Sequence, residues 1–273
     1  MSRFKNFESR RIQNLHFFMR YLVFILAIIL FQGCVQLNPT QPGTQPISHQ
    51  LWNDLLLKHV TKNGLVNYED MKSDSLRLQA YLKLLSDNAP SETWSREEKL
   101  AYWINTYNAF TIALVLDHYP IGSIKDICSS IQIPFINSPW DIEFIEIAGE
   151  TYDLNNLEHN ILRQNWDEPR IHFAINCASF SCSQLRNEAY SAENLDTQLN
   201  EQAIAFINDD FRNDIDTKEA QLSKIFQWFS GDFEKNGTLR DFVNQYSDQK
   251  IIDGMKISYK DYDWRLNTTG MIQ

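Results

Sequence analysis

Residues 95–120, SREEKLAYWINTYNAFTIALVLDHYP, decide the fold of this chain because they predict its clearest helix. Ser95 and Glu98 form a capping box, in which the serine oxygen and the glutamate carboxylate satisfy free amides of the first turn. Apolar side chains from Leu100 to Leu114 then recur at helical spacing, and Pro120 ends the helix. The segment therefore predicts a capped helix with a stripe of side chains in the core.

Shorter elements are predicted on both sides of this helix. Helices are predicted at residues 51–60, 76–85, 157–162 and 191–207, a hairpin at 143–154, and strands at 170–176 and 257–264. These helices and strands do not alternate as they do in a doubly wound parallel sheet. The predicted class is α+β, a helix-rich single domain over residues 48–273 with a small, mainly antiparallel sheet.

The N-terminal segment has the order of a bacterial lipoprotein signal. Basic residues precede an apolar run over residues 21–31, and Gly33 and Cys34 follow it. A basic region, a short apolar run and a small residue at the cleavage point are typical of a secretory signal. We predict a signal peptide over residues 1–33, then a lipidated Cys34 and a Pro-rich tether over residues 34–47. An uncleaved membrane anchor and plain secretion are the alternatives.

Composition restricts the partners and the location. Without residues 1–33, which hold five basic residues and one acidic residue, the chain keeps 20 basic and 34 acidic residues, a net charge of −14. An acidic body repels phosphate backbones, so we predict no nucleic-acid partner and a membrane link through the lipid anchor alone. Because Val35 and not aspartate follows Cys34, the predicted location is the outer membrane of the bacterial cell envelope, facing the periplasm.

The residues that suggest chemistry lie within residues 157–182. Cys177 follows a predicted strand and stands among small residues, which favours a nucleophile. A disulfide between Cys177 and Cys182 is the other interpretation, and an oxidising envelope favours it. The two interpretations make opposite predictions about the thiol of Cys177.

Two histidines are candidates for the base that serves Cys177. His172 is five residues away along a predicted strand, about 16 Å, and the odd separation places the two side chains on opposite faces. His159 on the preceding helix has no such restriction, so we predict that His159 is the base. His172 is then a supporting residue in a half-buried strand.

Charged neighbours complete the predicted site. Glu158 is next to His159 on the same helix, roughly 100° away, so it is not placed to orient that ring. We expect Glu158 to form an ion pair with Arg163 or Arg170 and to support the site in that way.

Asn105 and Asn108 interrupt an otherwise apolar helix, and a buried amide without partners is costly. The two amides are therefore predicted either to donate to an oxyanion or to bond the backbone of a packed loop. A zinc site is a further alternative, because His159, His172, Cys177 and Cys182 are suitable ligand types. Their spacing lacks the regularity of structural zinc sites, so neither a metal nor a cofactor is predicted.

Together these segments resemble the family known as domain of unknown function 547. The residues that carry the resemblance are Tyr102–Ala109, Leu157–His159 with Arg163, Pro169–Cys177 with Ser181 and Cys182, Leu222–Phe226 with Asp232 and Phe233, and Tyr259–Asn267. The resemblance spans residues 50–267 and implies a single domain without an established activity or cofactor.

The resulting functional hypothesis is a lipid-anchored envelope protein with a thiol-dependent hydrolase or transferase site. In this hypothesis Cys177 attacks an acyl carbon, His159 takes its proton, and Asn105 or Asn108 helps to hold the oxyanion. The alternative is a non-catalytic binding or scaffold domain stapled by a Cys177–Cys182 disulfide.

Replacing Cys34 with alanine should block processing and release the protein from membranes, because the lipid is attached to that thiol. Membrane fractionation and the intact mass of the mature chain measure both effects. Unchanged fractionation and unchanged mass would remove the lipoprotein interpretation.

Overall fold

The structure is a computed structural model that describes residues 45–129 and 138–271, without the side chains of residues 128, 129 and 271. The predicted signal peptide, Cys34 and the tether up to residue 44 lie outside the described residues. Within those residues, every helix is too short or too polar to cross a membrane. Contacts group the described residues into one compact unit.

Helices dominate the described residues. The α-helices are α1 Gln50–His59, α2 Tyr68–Ser73, α3 Ser75–Asp87, α4 Arg96–His118, α5 Asp126–Ser129, α6 Arg163–Asn165, α7 Ile171–Ala174, α8 Leu195–Ile207, α9 Lys224–Trp228, α10 Ser230–Phe233 and α11 Leu239–Tyr246. A π-helix at Asn156–Leu162 precedes α6, and 3₁₀ turns form at Pro139–Asp141 and Thr269–Met271.

The long helix α4 is confirmed, including both of its ends. Ser95 Oγ accepts the Glu98 N–H at 3.1 Å, and the Glu98 carboxylate accepts the Ser95 N–H at 2.6 Å. The helix ends at His118, just before Pro120. Side chains are buried on most faces of α4 and not only along one stripe, because other elements enclose this helix.

Two small sheets complete an α+β fold, as predicted. Strands β1 Ile145–Ile147 and β2 Glu150–Tyr152 form the predicted antiparallel hairpin. Its turn residues, Ala148 and Gly149, have φ values of 53° and 85°, which suits a tight hairpin turn. In the second sheet, β3 Asp214–Ile215 is antiparallel to β4 Glu219–Leu222, and β4 is parallel to β5 Lys256–Tyr259.

The predicted strand at residues 170–176 is wrong. Residues 171–174 form the short helix α7, and Ile175 after it is extended. All four residues of α7 are buried, including His172 and Ala174, so the apolar alternation in the sequence does not mark one buried face. Short apolar runs are compatible with either a strand or a buried helix.

The reason for this burial is that α7 lies between two hydrophobic clusters. Ile171 and Ala174 pack in the cluster built mainly from α1 to α4, the hairpin and the π-helix. Phe173 packs in the second cluster, with side chains of α8 to α11 and β4. The segment that leads to Cys177 therefore runs along the boundary between the two clusters.

Gly64 closes the turn after α1 against the chain at residues 184 and 185. Its φ is +76°, and a Cβ there would lie 2.7 Å from Gln184 Cβ and 2.8 Å from Leu185 N. Gly149 has a similar φ of +85° but no atom within 4 Å of a Cβ position. The two glycines therefore differ in available space and not in backbone conformation.

Gly64→Ala should lower the free energy of unfolding more than Gly149→Ala does. The left-handed conformation costs each alanine about 1–2 kcal/mol, and the overlap at position 64 adds about 1–3 kcal/mol. Urea denaturation measures both losses. Equal losses in the two variants would show that the chain at residues 184 and 185 moves away from the added methyl group without a cost in free energy.

Candidate active site at the Cys177 loop

The Cys177 loop, residues 175–183, leaves α7 and turns sharply at Ala178. Ala178 has a φ of 62°, in the left-handed region, where a non-glycine residue costs about 1–3 kcal/mol. The Asn176 side chain accepts the N–H of Ala178 at 2.9 Å, which is an Asx turn. Asn176 and Ala178 are buried, whereas Cys177 between them is only partly buried. The turn therefore presents one side chain, the thiol.

Asn108 of α4 fixes the start of this loop. Its side-chain nitrogen donates to Ala174 O at 3.0 Å, and its oxygen accepts the Asn176 N–H at 2.8 Å. Asn105 makes the same pair of bonds with the C=O and N–H of Tyr190, at 2.8 and 3.0 Å. Both amides are engaged with buried backbone groups, and neither lines the cavity beside Cys177, so they are not available as oxyanion donors.

A buried polar network holds the two ends of the loop together. Asn176 Nδ2 donates to Ser183 O at 2.6 Å, and Ser183 Oγ donates to Ile175 O at 2.6 Å. Asn267 Nδ2 donates to Asn176 Oδ1 at 3.2 Å, and Asn267 Oδ1 accepts the Tyr68 hydroxyl at 2.7 Å. Because these buried groups have partners, the network fixes the loop without the cost of an unpaired polar atom.

The C-terminal segment, residues 262–267, runs beside the Cys177 loop. The Phe180 N–H donates to Arg265 O at 2.7 Å, and the Ser181 N–H donates to Asp263 O at 3.1 Å. Ser181 Oγ also accepts the Asp263 N–H at 2.8 Å. This pairing brings residues from the end of the chain to the thiol.

Cys177 lines a cavity of about 180 Å³. Its walls combine ionisable side chains with aromatic rings: Tyr107, Trp140, Asn155, Glu158, His159, His172, Ile175, Cys177, Cys182, Ile225, Trp228, Phe229, Tyr262 and Trp264. A cavity of about 150 Å³ in a protein core accommodates benzene, so this one suits a small chemical group.

Hydrogen-bonding groups surround the Cys177 thiol. Ser179 Oγ lies 3.0 Å from Cys177 Sγ, and the Tyr262 hydroxyl lies 3.4 Å from it. The hydrogen bond from Cys182, followed by those from Ser179 and Tyr262, lowers the pKa of Cys177 although the thiol is desolvated. Among the described residues, no imidazole nitrogen hydrogen-bonds this sulfur. The lowered pKa favours the thiolate, which is the nucleophilic form.

Cys182 is the buried neighbour of that thiol, with 5% of its surface exposed. Its sulfur accepts the Cys177 N–H at 3.1 Å. Burial raises the pKa of Cys182, so this thiol keeps its proton while Cys177 ionises. Both thiols are free in the structure, although the sequence allowed a disulfide between them.

Glu158 is the buried acid of the cavity, with 12% of its side chain exposed. The Tyr107 hydroxyl donates to its carboxylate. Burial, followed by the negative charge of Cys177, raises the pKa of Glu158 to about 7. A carboxyl group with a pKa near neutrality can both donate and accept a proton, as general acid–base catalysis requires.

The ion pairs predicted for Glu158 are wrong, because both arginines pair elsewhere. Arg163 Nε donates to Asp232 at 2.6 Å. Arg170 directly precedes α7 and pairs with Glu168 at 2.5 Å, and neither residue lines the cavity. Arg170 also pairs with Asp196 at 2.8 Å, so its guanidinium is engaged away from Glu158.

His172, which is buried and lines the cavity, is paired with the partly buried Asp232. His172 Nε2 lies 2.8 Å from Asp232 Oδ2, and its ring stacks on Phe229 with 4.0 Å between centroids. Burial lowers the pKa of His172, and the hydrogen bond from His172, with that from Arg163, lowers the pKa of Asp232. A neutral ring that donates from Nε2 leaves Nδ1 as an acceptor, 3.9 Å from Glu158 Oε1.

His159 lines the same cavity, but its hydrogen bonding does not favour the role of base. Its Nδ1 accepts from the Arg163 guanidinium at 2.9 Å. Burial, followed by the charge of Arg163, lowers the pKa of His159. A neutral ring that accepts at Nδ1 carries its proton on Nε2, so His159 offers the cavity a donor.

Glu158 and His159 reach the cavity from the π-helix, where an α-helix was predicted. The Arg163 N–H donates to Glu158 O, five residues earlier, which defines the wider turn. At the start of this helix, the Asp153 carboxylate accepts the Asn156 N–H at 2.5 Å. Short π-helical segments are frequent at functional sites.

The four side chains considered for zinc do not form one ligand cluster. Within residues 45–129 and 138–271, no group of three or more His, Cys, Asp or Glu side chains is arranged to hold a metal ion. His159 and His172 instead use ring nitrogens for Arg163 and Asp232.

Several site residues were missed by sequence reasoning. Tyr107 reads as one of the apolar residues of α4, and Tyr262 and Asp232 are far from Cys177 in sequence. The resemblance included Asp232 and the segment of Tyr262, but it assigned them no role. The aromatic residues of the cavity gave no signal because the chain is rich in such residues, at 13%.

Asn108→Ala should slow iodoacetamide labelling of Cys177, because the loop loses the two bonds that set its start. Asn105→Ala is the matched control, since it removes an equivalent pair of bonds at Tyr190. Each variant should lose about 2–4 kcal/mol of stability, from two buried backbone groups left without partners. Equal labelling of Cys177 in the two folded variants would contradict a positioning role for Asn108.

Comparison with known proteins gives a family match that includes the Cys177 loop. No curated protein and no solved structure gives a significant match. The model of the family described as "Protein of unknown function, DUF547" matches residues 91–207, a segment that includes α4, the π-helix and the Cys177 loop. The resemblance to this family is therefore confirmed over residues 91–207.

Proposed function

We propose that this chain is a lipid-anchored protein of the bacterial cell envelope whose cavity catalyses thiol-dependent hydrolysis or acyl transfer. The observation that carries the proposal is the pairing of Cys177 and Glu158 in one small cavity. One has a lowered pKa and the other a raised pKa, of about 7. Opposite shifts in neighbouring groups are the usual mark of a nucleophile and an acid–base partner.

In the first step, the Cys177 thiolate attacks the acyl carbon of an ester, thioester or amide. The S–C bond forms, and the carbonyl electron pair moves to oxygen, where the Tyr262 hydroxyl, which lines the cavity and lies 3.4 Å from the sulfur, is placed to donate. When the bond to the leaving group breaks, protonated Glu158 supplies the proton. The products are a thioester on Cys177 and the free leaving group.

In the second step, Glu158 acts as the base. Its carboxylate takes a proton from water, or from an acceptor hydroxyl or amine, as that oxygen or nitrogen attacks the thioester carbon. The S–C bond breaks and the thiolate returns. His172 Nδ1, 3.9 Å from Glu158 Oε1, is about one water away from sharing this proton, and Asp232 holds the tautomer that makes it possible.

This mechanism replaces His159 with Glu158 as the base. His159 Nδ1 accepts a hydrogen bond from the Arg163 guanidinium, so the proton of the neutral ring is on Nε2. Neither ring nitrogen is then free to take a proton from the substrate. We assign His159 the role of a hydrogen-bond donor to the substrate. The assignment rests on the direction of one hydrogen bond at 2.9 Å.

The cavity also restricts the substrate. A volume of about 180 Å³ suits a short acyl group. Trp228, Tyr262 and Trp264 form an aromatic wall beside it, with 4.8 Å between the rings of Trp228 and Tyr262 and 4.5 Å between those of Tyr262 and Trp264. Trp228 is 46% exposed, so this wall offers an apolar surface to the part of the substrate outside the cavity.

The proposed location rests on the N-terminal sequence. The order of basic residues, apolar run, Gly33 and Cys34 supports a lipid anchor, and Val35 supports the outer membrane. In that location the acidic body would face the periplasm.

p-Nitrophenyl acetate is a suitable small acyl probe. Trypsin cleaves after Arg170 and Arg186, so fragmentation of the peptide Ile171–Arg186 distinguishes acetylation of Cys177 from that of Cys182. In the wild-type protein this peptide should gain one acetyl group transiently. In Glu158→Gln the acetyl group should persist, with its release slower by about 10²–10⁴-fold.

Alkylation measures the reactivity of the Cys177 thiol independently of the acid–base step of Glu158. At pH 8, Glu158→Gln should not slow iodoacetamide labelling of Cys177, because glutamine removes a negative charge that opposes the thiolate. Labelling should rise with pH and reach half its maximum below the pH of about 8.5 expected for a free cysteine. Glu150→Gln, at an exposed position, is the control of equal charge change. If the wild-type peptide gains no acetyl group, or Glu158→Gln releases it at the wild-type rate, the non-catalytic alternative is favoured.

A further inference from the structure

We propose that Cys177 and Cys182 form a reversible oxidation site, at which a hydroperoxide oxidises Cys177 and Cys182 then closes a disulfide with it. The site shares its thiol with the proposed function, but it needs no acyl substrate. The oxidation test can therefore fail although the acyl chemistry is correct, and the acyl test can fail although the oxidation site is correct.

The contact between the two residues brings the sulfurs within reach of each other. Cys182 Sγ lies 3.1 Å from the amide nitrogen of Cys177, and both thiols line the same cavity. The Cys177 sulfur is on the side chain of that same residue, so rotation about its Cα–Cβ bond changes the distance between the sulfurs. Bond formation therefore depends on a side-chain rotation and not on a large movement of the backbone.

The two thiols have different access to an oxidant. Cys177 is partly exposed at the cavity wall, with Ser179 Oγ at 3.0 Å and the Tyr262 hydroxyl at 3.4 Å as donors for a thiolate. Cys182 is 5% exposed, and burial keeps its proton in place by raising its pKa. A hydroperoxide that enters the cavity therefore meets one reactive thiolate, with the second thiol behind it.

The chemistry balances with a hydroperoxide as the oxidant. The Cys177 thiolate attacks one peroxide oxygen, an S–O bond forms, the O–O bond breaks, and the departing oxygen takes a proton to leave as an alcohol or water. The Cys182 sulfur then attacks the sulfur of the sulfenic acid, the S–S bond forms, and the S–O bond breaks with loss of water. Two thiols are oxidised by two electrons, and one peroxide is reduced.

The loop does not need this disulfide as a staple. Asn176 Nδ2 donates to Ser183 O, and Ser183 Oγ donates to Ile175 O, each at 2.6 Å, so two hydrogen bonds already join the ends of the loop. The loop can keep its shape with the thiols free, and the pair can cycle between both states. In the oxidised state Cys177 is withdrawn as a nucleophile, but it is protected from irreversible oxidation.

The experiment treats the purified full-length protein with hydrogen peroxide and follows the tryptic peptide Ile171–Arg186, which contains both cysteines and neither Cys34 nor Cys128. Without reduction, the peptide mass should fall by about 2 Da, from loss of two hydrogens. Iodoacetamide labelling of Cys177 should fall by at least about tenfold, and dithiothreitol should restore both values.

Cys182→Ser is the matched variant, because its hydroxyl can still accept the Cys177 N–H. After peroxide treatment, its peptide should not lose two hydrogens but gain about 32 or 48 Da, as sulfinic or sulfonic acid on Cys177. The wild-type measurement requires no variant, so a folding defect in Cys182→Ser leaves the main test intact. The proposal is overturned by over-oxidation of Cys177 in the wild type, by no oxidation, by a disulfide between chains, or by an internal disulfide that is already complete and that dithiothreitol does not open.

Discussion

The candidate site depends on one amide, the side chain of Asn108 in the enclosed helix α4. It bonds Ala174 O at 3.0 Å and the Asn176 N–H at 2.8 Å, at the point where α7 ends and the Cys177 loop begins. Buried backbone groups that lack regular secondary structure need such partners. Once this point is fixed, the Asx turn of Asn176 and the left-handed Ala178 orient the thiol. A rigid helix therefore sets the position of a loop that has little regular structure of its own.

Electrostatic differences within a small volume give the site its chemistry. Burial raises the pKa of Glu158 and lowers that of His172, while hydrogen bonds lower the pKa of Cys177. Burial therefore disfavours the charged forms of Glu158 and His172, while the hydrogen bonds stabilise a negative charge on the Cys177 sulfur. Glu158 destabilises the fold increasingly as the pH rises from its ordinary pKa of 4.5 to about 7, and by a constant amount above that, because its charged form is desolvated. Groups held in states that oppose stability are typical of functional sites and not of passive cores.

The site is assembled from parts of the chain that are far apart in sequence. The family match at residues 91–207 includes Glu158, His159 and Cys177, but the partners Asp232 and Tyr262 lie beyond it. Both come with the second hydrophobic cluster, which contains Phe233 and packs Tyr262 at its edge. The cavity therefore exists because two clusters meet along α7, and each supplies one wall.

The sequence by itself determined the capped helix α4, the hairpin and the α+β class, because capping, periodicity and turn chemistry act between near neighbours, and it indicated the segment of the candidate site. Only the tertiary structure decided that residues 171–174 are helical, since burial between two clusters removes the distinction between faces. It also decided the partners of His159, His172 and Glu158, which lie up to 60 positions away, as in the bond between His172 and Asp232. Side-chain type shows what a residue can do, but its partner and its pKa depend on which distant groups the fold places beside it.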